Sequence, residues 1–315
     1  MKRRKSGLLR SLAAALLTAA VAVGSGTAVL AAAKPVETSS VRVASGTTST
    51  AAPAAVKLKR VSYVSTGKIK VQWAKRSGAT GYLLQYSTSS KFTDNGRTTT
   101  LTVKKASTTS KTISGLAKAK YYVRVVPYKL VNGQKVYKTW SKALSITPKK
   151  GLTVKQLLNR IKADSGSKAK ILELTKKGVN ISKYKTTYDK VMAIYRWHTK
   201  HAKEFPSCLQ CNSNFNDCLY QLFGEPSTKK NLWIAAGNFR NSNGSLVIHK
   251  WSTVYLANVP YQFDPRIQRN IRASGSEYFG FTMSSSLYKK RYVFEGWWYC
   301  TNELNSSSDW WYFLI

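Results

Sequence analysis

Acidic residues are scarce in this chain: 13 Asp and Glu stand against 51 Lys and Arg over 315 residues, a formal charge of +38. A surface so one-sided repels cationic partners and attracts polyanions, whether nucleic acid, anionic membrane or wall polymers. Cysteine is absent from the first 207 positions, which excludes a disulfide framework spread along the chain. Also missing are a Leu-Pro-x-Thr-Gly sorting motif and a second apolar run of membrane length after the N-terminal one. There is no helix-turn-helix pattern, finger spacing or aromatic Arg/Gly signature, so no specific nucleic-acid partner is expected. No acidic cluster suits a Ca²⁺ site, and neither a metal nor a cofactor is expected.

What is present begins with a basic head, Lys2, Arg3, Arg4, Lys5 and Arg10, followed by an apolar stretch from Leu12 to Val23 and the small residues Ala31, Ala32 and Ala33. That order reads as a Sec-type signal peptide over residues 1–33, cleaved after Ala33. The stretch is short for a membrane anchor, and Gly24, Ser25, Gly26 and Thr27 interrupt it. The expectation is therefore a bacterial-type exported protein, secreted or held at the cell surface, with no membrane span after cleavage. Residues 34–55, rich in Ser, Thr, Ala and Pro without apolar periodicity, read as a flexible linker.

From Val56 to Lys150 the pattern turns to short alternating runs. Ile69, Val71 and Trp73 share one face. Tyr82 to Tyr86, Thr98 to Val103, Tyr121 to Val126 and Lys135 to Ile146 follow between turn residues. About seven strands over about a hundred positions predict a β-sandwich. Val71-x-Trp73, Gly78-Ala79-Thr80-Gly81-Tyr82, Ser114-Gly115-Leu116, Tyr122-Val123-Arg124-Val125 and Trp140-Ser141 resemble a fibronectin type III domain. The resemblance implies a core tryptophan at Trp73, a tyrosine corner near Leu116 and Tyr122, and a spacer or binding role without catalysis. The same segment holds 21 Lys and Arg and one acid, Asp94. Either these lysines anchor the protein on anionic cell-wall polymers, or they are a solvated face with no partner.

Beyond Leu152 the apolar period becomes helical: Val154 to Ile161, Ala169 to a stop at Gly178, Tyr188 to Phe205, and Asn214 to an end at Gly224. Past Ser245 the pattern alternates again. Helices followed by strands predict an α+β domain over 151–315.

On the first of these later strands His249, Trp251, Thr253 and Tyr255 share a face. Asn258-Val259-Pro260 reads as a turn, and Tyr261 to Phe263 as a returning strand that ends at Asp264-Pro265. The hairpin brings His249 and Asp264 to neighbouring strands but leaves them about one pleat out of step, for a bulge or side-chain reach to close. An imidazole held by a carboxylate is what thiol catalysis needs. The ring takes the thiol proton, and the acid fixes its tautomer and stabilises the imidazolium. A cysteine at a helix N-terminus completes the set, because the helix dipole favours thiolate.

Tyr195-x-Trp197, a cysteine opening the next helix, His249-x-Trp251 and Tyr261-x-Phe263-Asp264-Pro265 resemble the transglutaminase-like (papain-like thiol) superfamily over about residues 185–270. The resemblance implies a catalytic triad of Cys208, His249 and Asp264. Counting from Cys208, the family's apolar helix positions fall on Phe215, Cys218, Leu219 and Leu222; counting from Cys211 matches half of them, which makes Cys211 the reserve nucleophile. Cys218 then packs in the core. The segment Asn212-Ser213-Asn214 departs from the family, and a cap at Ser213 or Asn214 would take both cysteines off the helix's first turn. Two other readings compete. His198, His201, Cys208 and Cys211 have ligand types for zinc, and two of the clustered cysteines could pair as a disulfide. Trp297, Trp298, Trp310 and Trp311 read as core or edge packing.

Two functions follow. One is an exported thiol enzyme, a cysteine acyltransferase or peptidase acting on a peptide or protein substrate. The other is a noncatalytic surface-binding scaffold built on the basic sandwich.

Overall fold

The computed structural model describes residues 51–93, 96–163, 168–224, 231–271 and 277–299. The signal peptide, most of the linker, Asp94, Cys300, Trp310 and Trp311 lie outside the described residues, as do the side chains of Trp297 and Trp298.

Among the described residues, eight strands build the N-terminal part: β1 (Leu58–Ser65), β2 (Lys68–Trp73), β3 (Gly81–Ser87), β4 (Thr98–Val103), β5 (Ser110–Ser114), β6 (Tyr121–Val131), β7 (Gln134–Val136) and β8 (Leu144–Ile146). One sheet has the order β1-β2-β5. The other runs β4-β3-β6-β7, with β8 also paired to β6. The run expected from Lys135 to Ile146 is thus two short strands separated by an irregular segment. Two-residue alternation sends Ile69, Val71 and Trp73 inward from β2, where they meet Tyr82, Leu84, Val123 and Val125 of the facing sheet. Trp73 contacts Tyr82 edge-on, with ring centroids 5.4 Å apart. The corner tyrosine is Tyr121, one position earlier than expected: its buried hydroxyl accepts the Ala117 N–H at 3.1 Å, while Tyr122 is only half-buried. Strand parity decides this, since Tyr121, Val123 and Val125 share the inward face.

The chain passes into its second part through Lys150, Gly151 and Leu152, which are hydrogen-bonded to the sandwich. Gly67 N–H donates to Lys150 O and Leu152 N–H to Leu116 O, both at 2.9 Å. A Cβ at Gly151 would lie 1.9 Å from Lys118 N, so only glycine allows this close approach.

The second part is α+β. Helices α1 (Val154–Leu158), α2 (Ala169–Lys176), α3 (Thr187–Lys200) and α4 (Cys208–Phe223) precede strands β9 (Leu232–Arg240), β10 (Leu246–Leu256) and β11 (Val259–Phe263). Then come α5 (Pro265–Ile271), β12 (Phe279–Thr282), α6 (Ser286–Arg291) and β13 (Tyr292–Tyr299). The sheet is antiparallel, in the order β12-β11-β10-β9-β13. Strand β9 begins before the point where alternation was legible, because its run Leu-Trp-Ile-Ala-Ala is apolar at successive positions. Helix α4 carries Phe215, Cys218, Leu219 and Leu222 into the main core, beside Val254 and Phe263. The opposite face of the sheet gathers Trp251, Phe239, Tyr288 and Tyr292 in a second cluster. No helix among the described residues is long and apolar enough to cross a membrane.

Sandwich and sheet meet at the β10–β11 turn. That turn is Ala257-Asn258, not the expected Asn258-Val259-Pro260. Both residues have positive φ, 51° and 66°, the geometry of a two-residue type I′ hairpin, and Pro260 is already in the strand opposite Tyr255. Tyr121 donates its hydroxyl to Ala257 O at 2.8 Å. Asn258 donates to Tyr86 O and accepts from Thr99 Oγ1, and Thr88 Oγ1 donates to Asn258 O. The sandwich therefore grips the turn of the hairpin that carries His249.

Candidate active site

Helix α4 starts at Cys208, six residues before the apolar periodicity suggested. Ser207 caps it, its hydroxyl accepting from Gln210 N–H at 3.2 Å. Cys208 thus occupies the first turn of a 16-residue helix, where unsatisfied N–H groups and the dipole favour negative charge. Asn212, Ser213 and Asn214, which looked like a helix start, lie inside the helix. The asparagines there serve tertiary contacts: Asn214 Oδ1 lies 2.9 Å from His198 Nε2, and Asn216 Nδ2 donates to Trp233 O at 3.0 Å. Intrinsic helix propensity is overridden by these ties.

The register of β10 and β11 pairs Ser252 with Phe263, which aligns Asp264 with Trp251 and leaves His249 two residues further along the same face. Side-chain reach closes that gap. His249 Nε2 lies 2.7 Å from Asp264 Oδ2, with both groups buried. The same Oδ2 accepts the Tyr292 hydroxyl at 2.8 Å, and Oδ1 accepts Ile267 N–H at 3.1 Å, so Asp264 also caps α5. Gly237 faces His249 across β9 and admits the β13 backbone, since a Cβ there would lie 1.9 Å from Val293 O. That close approach brings β13 and its Tyr292 against Asp264.

With Nε2 engaged by Asp264, Nδ1 is the ring nitrogen left for the Cys208 thiol, whose ionisation His249 and the Lys250 backbone N–H both favour. The electrostatics match this geometry. Burial alone would push the Cys208 thiol up, but the hydrogen bond and charge of His249 and the Lys250 N–H together hold it below the ordinary thiol value. Burial alone would lower His249, but the Asp264 carboxylate and then Cys208 outweigh it and raise the imidazole to about 9. Each group favours the charged form of the other, so the arrangement favours a thiolate–imidazolium pair.

Cys211 lies one turn further into α4 with no exposed surface, and burial pushes its thiol to about 12. Cys218 is likewise in the core at about 12, again through burial. All three described cysteines are free thiols, so no disulfide links them. The zinc arrangement is not formed. His198 is a core residue rather than a solvated one, with Nδ1 on Ile194 O at 2.8 Å and Nε2 on Asn214; burial lowers it to about 4, so it stays neutral. His201 pairs with Glu204 instead. Among the described residues no three His, Cys, Asp or Glu side chains gather in a way that could hold a metal ion.

Three members of the site were not legible as such. Tyr292 stands 28 positions after Asp264 with no local signal. Ser252 looked like an ordinary strand residue. Asn212 looked like a departure from a helix rather than part of one. It is buried, donates from Nδ2 to Cys208 O and Lys250 O at 3.0 and 2.9 Å, and accepts from Ser252 Oγ at 3.2 Å.

Fibronectin type III-like neighbours cover about a third of the chain. The third fibronectin III domain of the human KIAA0343 protein is 22% identical, covering 36% of this chain and 95% of its own, with a TM-score of 0.28. An Fn3-like protein from Clostridium thermocellum is 26% identical, covering 32% of this chain and 97% of its own, with a TM-score of 0.24. No family model and no curated protein matches the chain. The sandwich architecture stands independently on its strand order and on the Tyr121 corner.

Proposed function

We propose that this chain is an exported, transglutaminase-like thiol enzyme acting on peptide or carboxamide bonds, with Cys208 as nucleophile, His249 as acid and base, and Asp264 orienting it. The reading rests on one observation above all. A half-exposed thiol on the first turn of a helix stands beside an imidazole whose far nitrogen is fixed by a buried carboxylate 2.7 Å away.

The Cys208 thiolate attacks the substrate carbonyl carbon, and the C–O π pair moves to oxygen, toward the positive end of α4. Collapse re-forms the carbonyl and breaks the C–N bond, and imidazolium Nδ1–H gives its proton to the departing nitrogen. The product is a thioester and free amine or ammonia. Water, or a second amine, then attacks the thioester; the neutral ring takes its proton and returns the thiolate. Cys211 has no comparable role, because a thiol pushed to about 12 is protonated at neutral pH.

The basic sandwich attaches the enzyme to anionic cell-wall polymers in this reading. Lys59, Arg60, Lys68, Lys70 and Lys111 are exposed on its three-stranded sheet.

The test is alkylation by iodoacetamide followed by peptide mapping, together with release of amine or ammonia from peptide and carboxamide substrates. Selective modification of Cys208 below pH 8, and loss of turnover in Cys208→Ala, are expected. Uniformly slow labelling of all cysteines, with no turnover in the unmodified chain, would favour the noncatalytic scaffold.

A further inference from the structure

Asn residues are poor choices inside a helix, and a buried one needs every polar atom satisfied. Asn212 meets that condition in an informative way. Both protons of Nδ2 are used, on Cys208 O at 3.0 Å and Lys250 O at 2.9 Å. Both partners are carbonyls, so the amide orientation is fixed by chemistry: a flipped amide would set oxygen against oxygen. Oδ1 accepts from Ser252 Oγ at 3.2 Å, and the same hydroxyl lies 3.1 Å from Asn212 O.

The two carbonyls belong to the residue that carries the thiol and to the residue next to the imidazole. Strand β11 ends at Phe263, so its pairing with β10 stops at Ser252. Beyond that point the N-terminal part of α4 meets β10, through Asn212. Lys250 turns its carbonyl to Asn212, and its backbone N–H favours the Cys208 thiolate. One amide group therefore joins helix to strand at the point where sulfur and ring must meet. Helix packing alone would not specify this. A helix lying on apolar side chains can slide by a fraction of an ångström at small cost, whereas two donors from one rigid amide fix both backbones at once.

We propose that Asn212 is a positioning residue, supported by Ser252, that holds the backbone of Cys208 against the strand carrying His249 and thereby favours the reactive form of the thiol. This rests on the thiol–imidazole reading above. It goes beyond it in assigning the alignment to a residue that touches neither reacting group through its own side chain.

The experiment measures the pH midpoint of Cys208 alkylation by iodoacetamide in the full chain, with circular dichroism and thermal melting alongside. Asn212→Ala should move the midpoint upward and slow alkylation at pH 7 about fivefold to tenfold, as expected for a midpoint rise approaching one unit. Asn212→Asp should do the same or more, because it loses both donors and adds an anion beside the thiol. Ser252→Ala should give a smaller shift in the same direction. An unchanged midpoint in a natively folded Asn212 variant would overturn the proposal. If Asn212→Ala does not fold, Ser252→Ala decides, and an unmoved midpoint there counts equally against it. The readout needs no substrate, so it separates the two claims. A shifted midpoint in a chain that turns over no peptide or carboxamide would keep the clamp and remove the enzyme.

Discussion

Tyr292 and His249 share one oxygen of Asp264: the phenol hydroxyl lies 2.8 Å from Oδ2 and the imidazole Nε2 lies 2.7 Å from it. The phenol is buried, and burial together with the neighbouring carboxylate raises it well above its ordinary pKa, so it acts only as a donor. It draws electron density from the atom that stabilises the imidazolium. Tyr292→Phe should cost about 1.5–3 kcal/mol of stability, the range for a hydrogen bond to a charged group, readable as a lower urea midpoint. It should also leave Oδ2 to His249 alone and raise the imidazole further, seen by NMR titration of the ring. A ring that titrates lower in the variant would contradict this account of Asp264.

The pH dependence of turnover follows from two shifts of opposite sign. Cys208 is depressed, so its thiolate forms as pH rises through a value below the ordinary thiol pKa, giving the acid limb. His249 is raised, so the proton needed by the leaving nitrogen is present below about 9 and lost above it, giving the alkaline limb. A bell with its alkaline limb near 9 is expected in kcat/KM. A profile that climbs without falling through pH 10 would remove His249 as the acid.

How much of this was readable from residues alone depended on range. Periodicity over five or more positions exposed most sandwich strands and the buried face of α4, because alternation and helical spacing are local consequences of burial. Helix and strand ends were misplaced wherever tertiary contacts outweighed local propensity. The α4 start was read six residues late because Ser213 and Asn214 look like caps and nothing local shows the tertiary ties of Asn212 and Asn214. Their true partners, Lys250 and His198, lie 38 and 16 positions away. The tyrosine corner was read one residue late because Tyr121 and Tyr122 are adjacent, and only strand parity separates them. The His249 and Asp264 pairing was approachable because a hairpin makes it nearly local, whereas Tyr292 arrives from another strand of the sheet with no sequence cue.

The grip on the Ala257-Asn258 turn predicts coupling between the two parts. Asn258→Ala loses the bonds to Tyr86 O and Thr99 Oγ1 and also puts a second alanine at positive φ. It should destabilise the chain by about 2–4 kcal/mol. Tyr121→Phe leaves Ala117 N–H and Ala257 O without their hydroxyl and should cost about 2–4 kcal/mol as well. Differential scanning calorimetry should show a single lowered transition in both. Two separated transitions would mean that the sandwich and the α+β part melt independently.

Attachment through the sandwich should be electrostatic. Binding to teichoic acid or another anionic wall polymer should weaken steeply between 50 and 300 mM salt, over which the screening length shrinks to well under about 10 Å. Reversing Lys59, Lys68 and Lys70 to Glu should weaken it at low salt by at least about tenfold without changing the melting temperature. Retention that is indifferent to salt would point to a different mode of attachment.

The tyrosine that ordinarily just closes a sandwich loop here faces outward as well, with Ala257 O seated on its hydroxyl. Such a domain cannot be exchanged for another of the same architecture as beads on a string can. A transplanted sandwich would need a tyrosine at the corner, threonines at the positions of Thr88 and Thr99, and a backbone carbonyl where Tyr86 has one, or the socket would be lost. The hairpin bearing the imidazole would then be left without its outer wall.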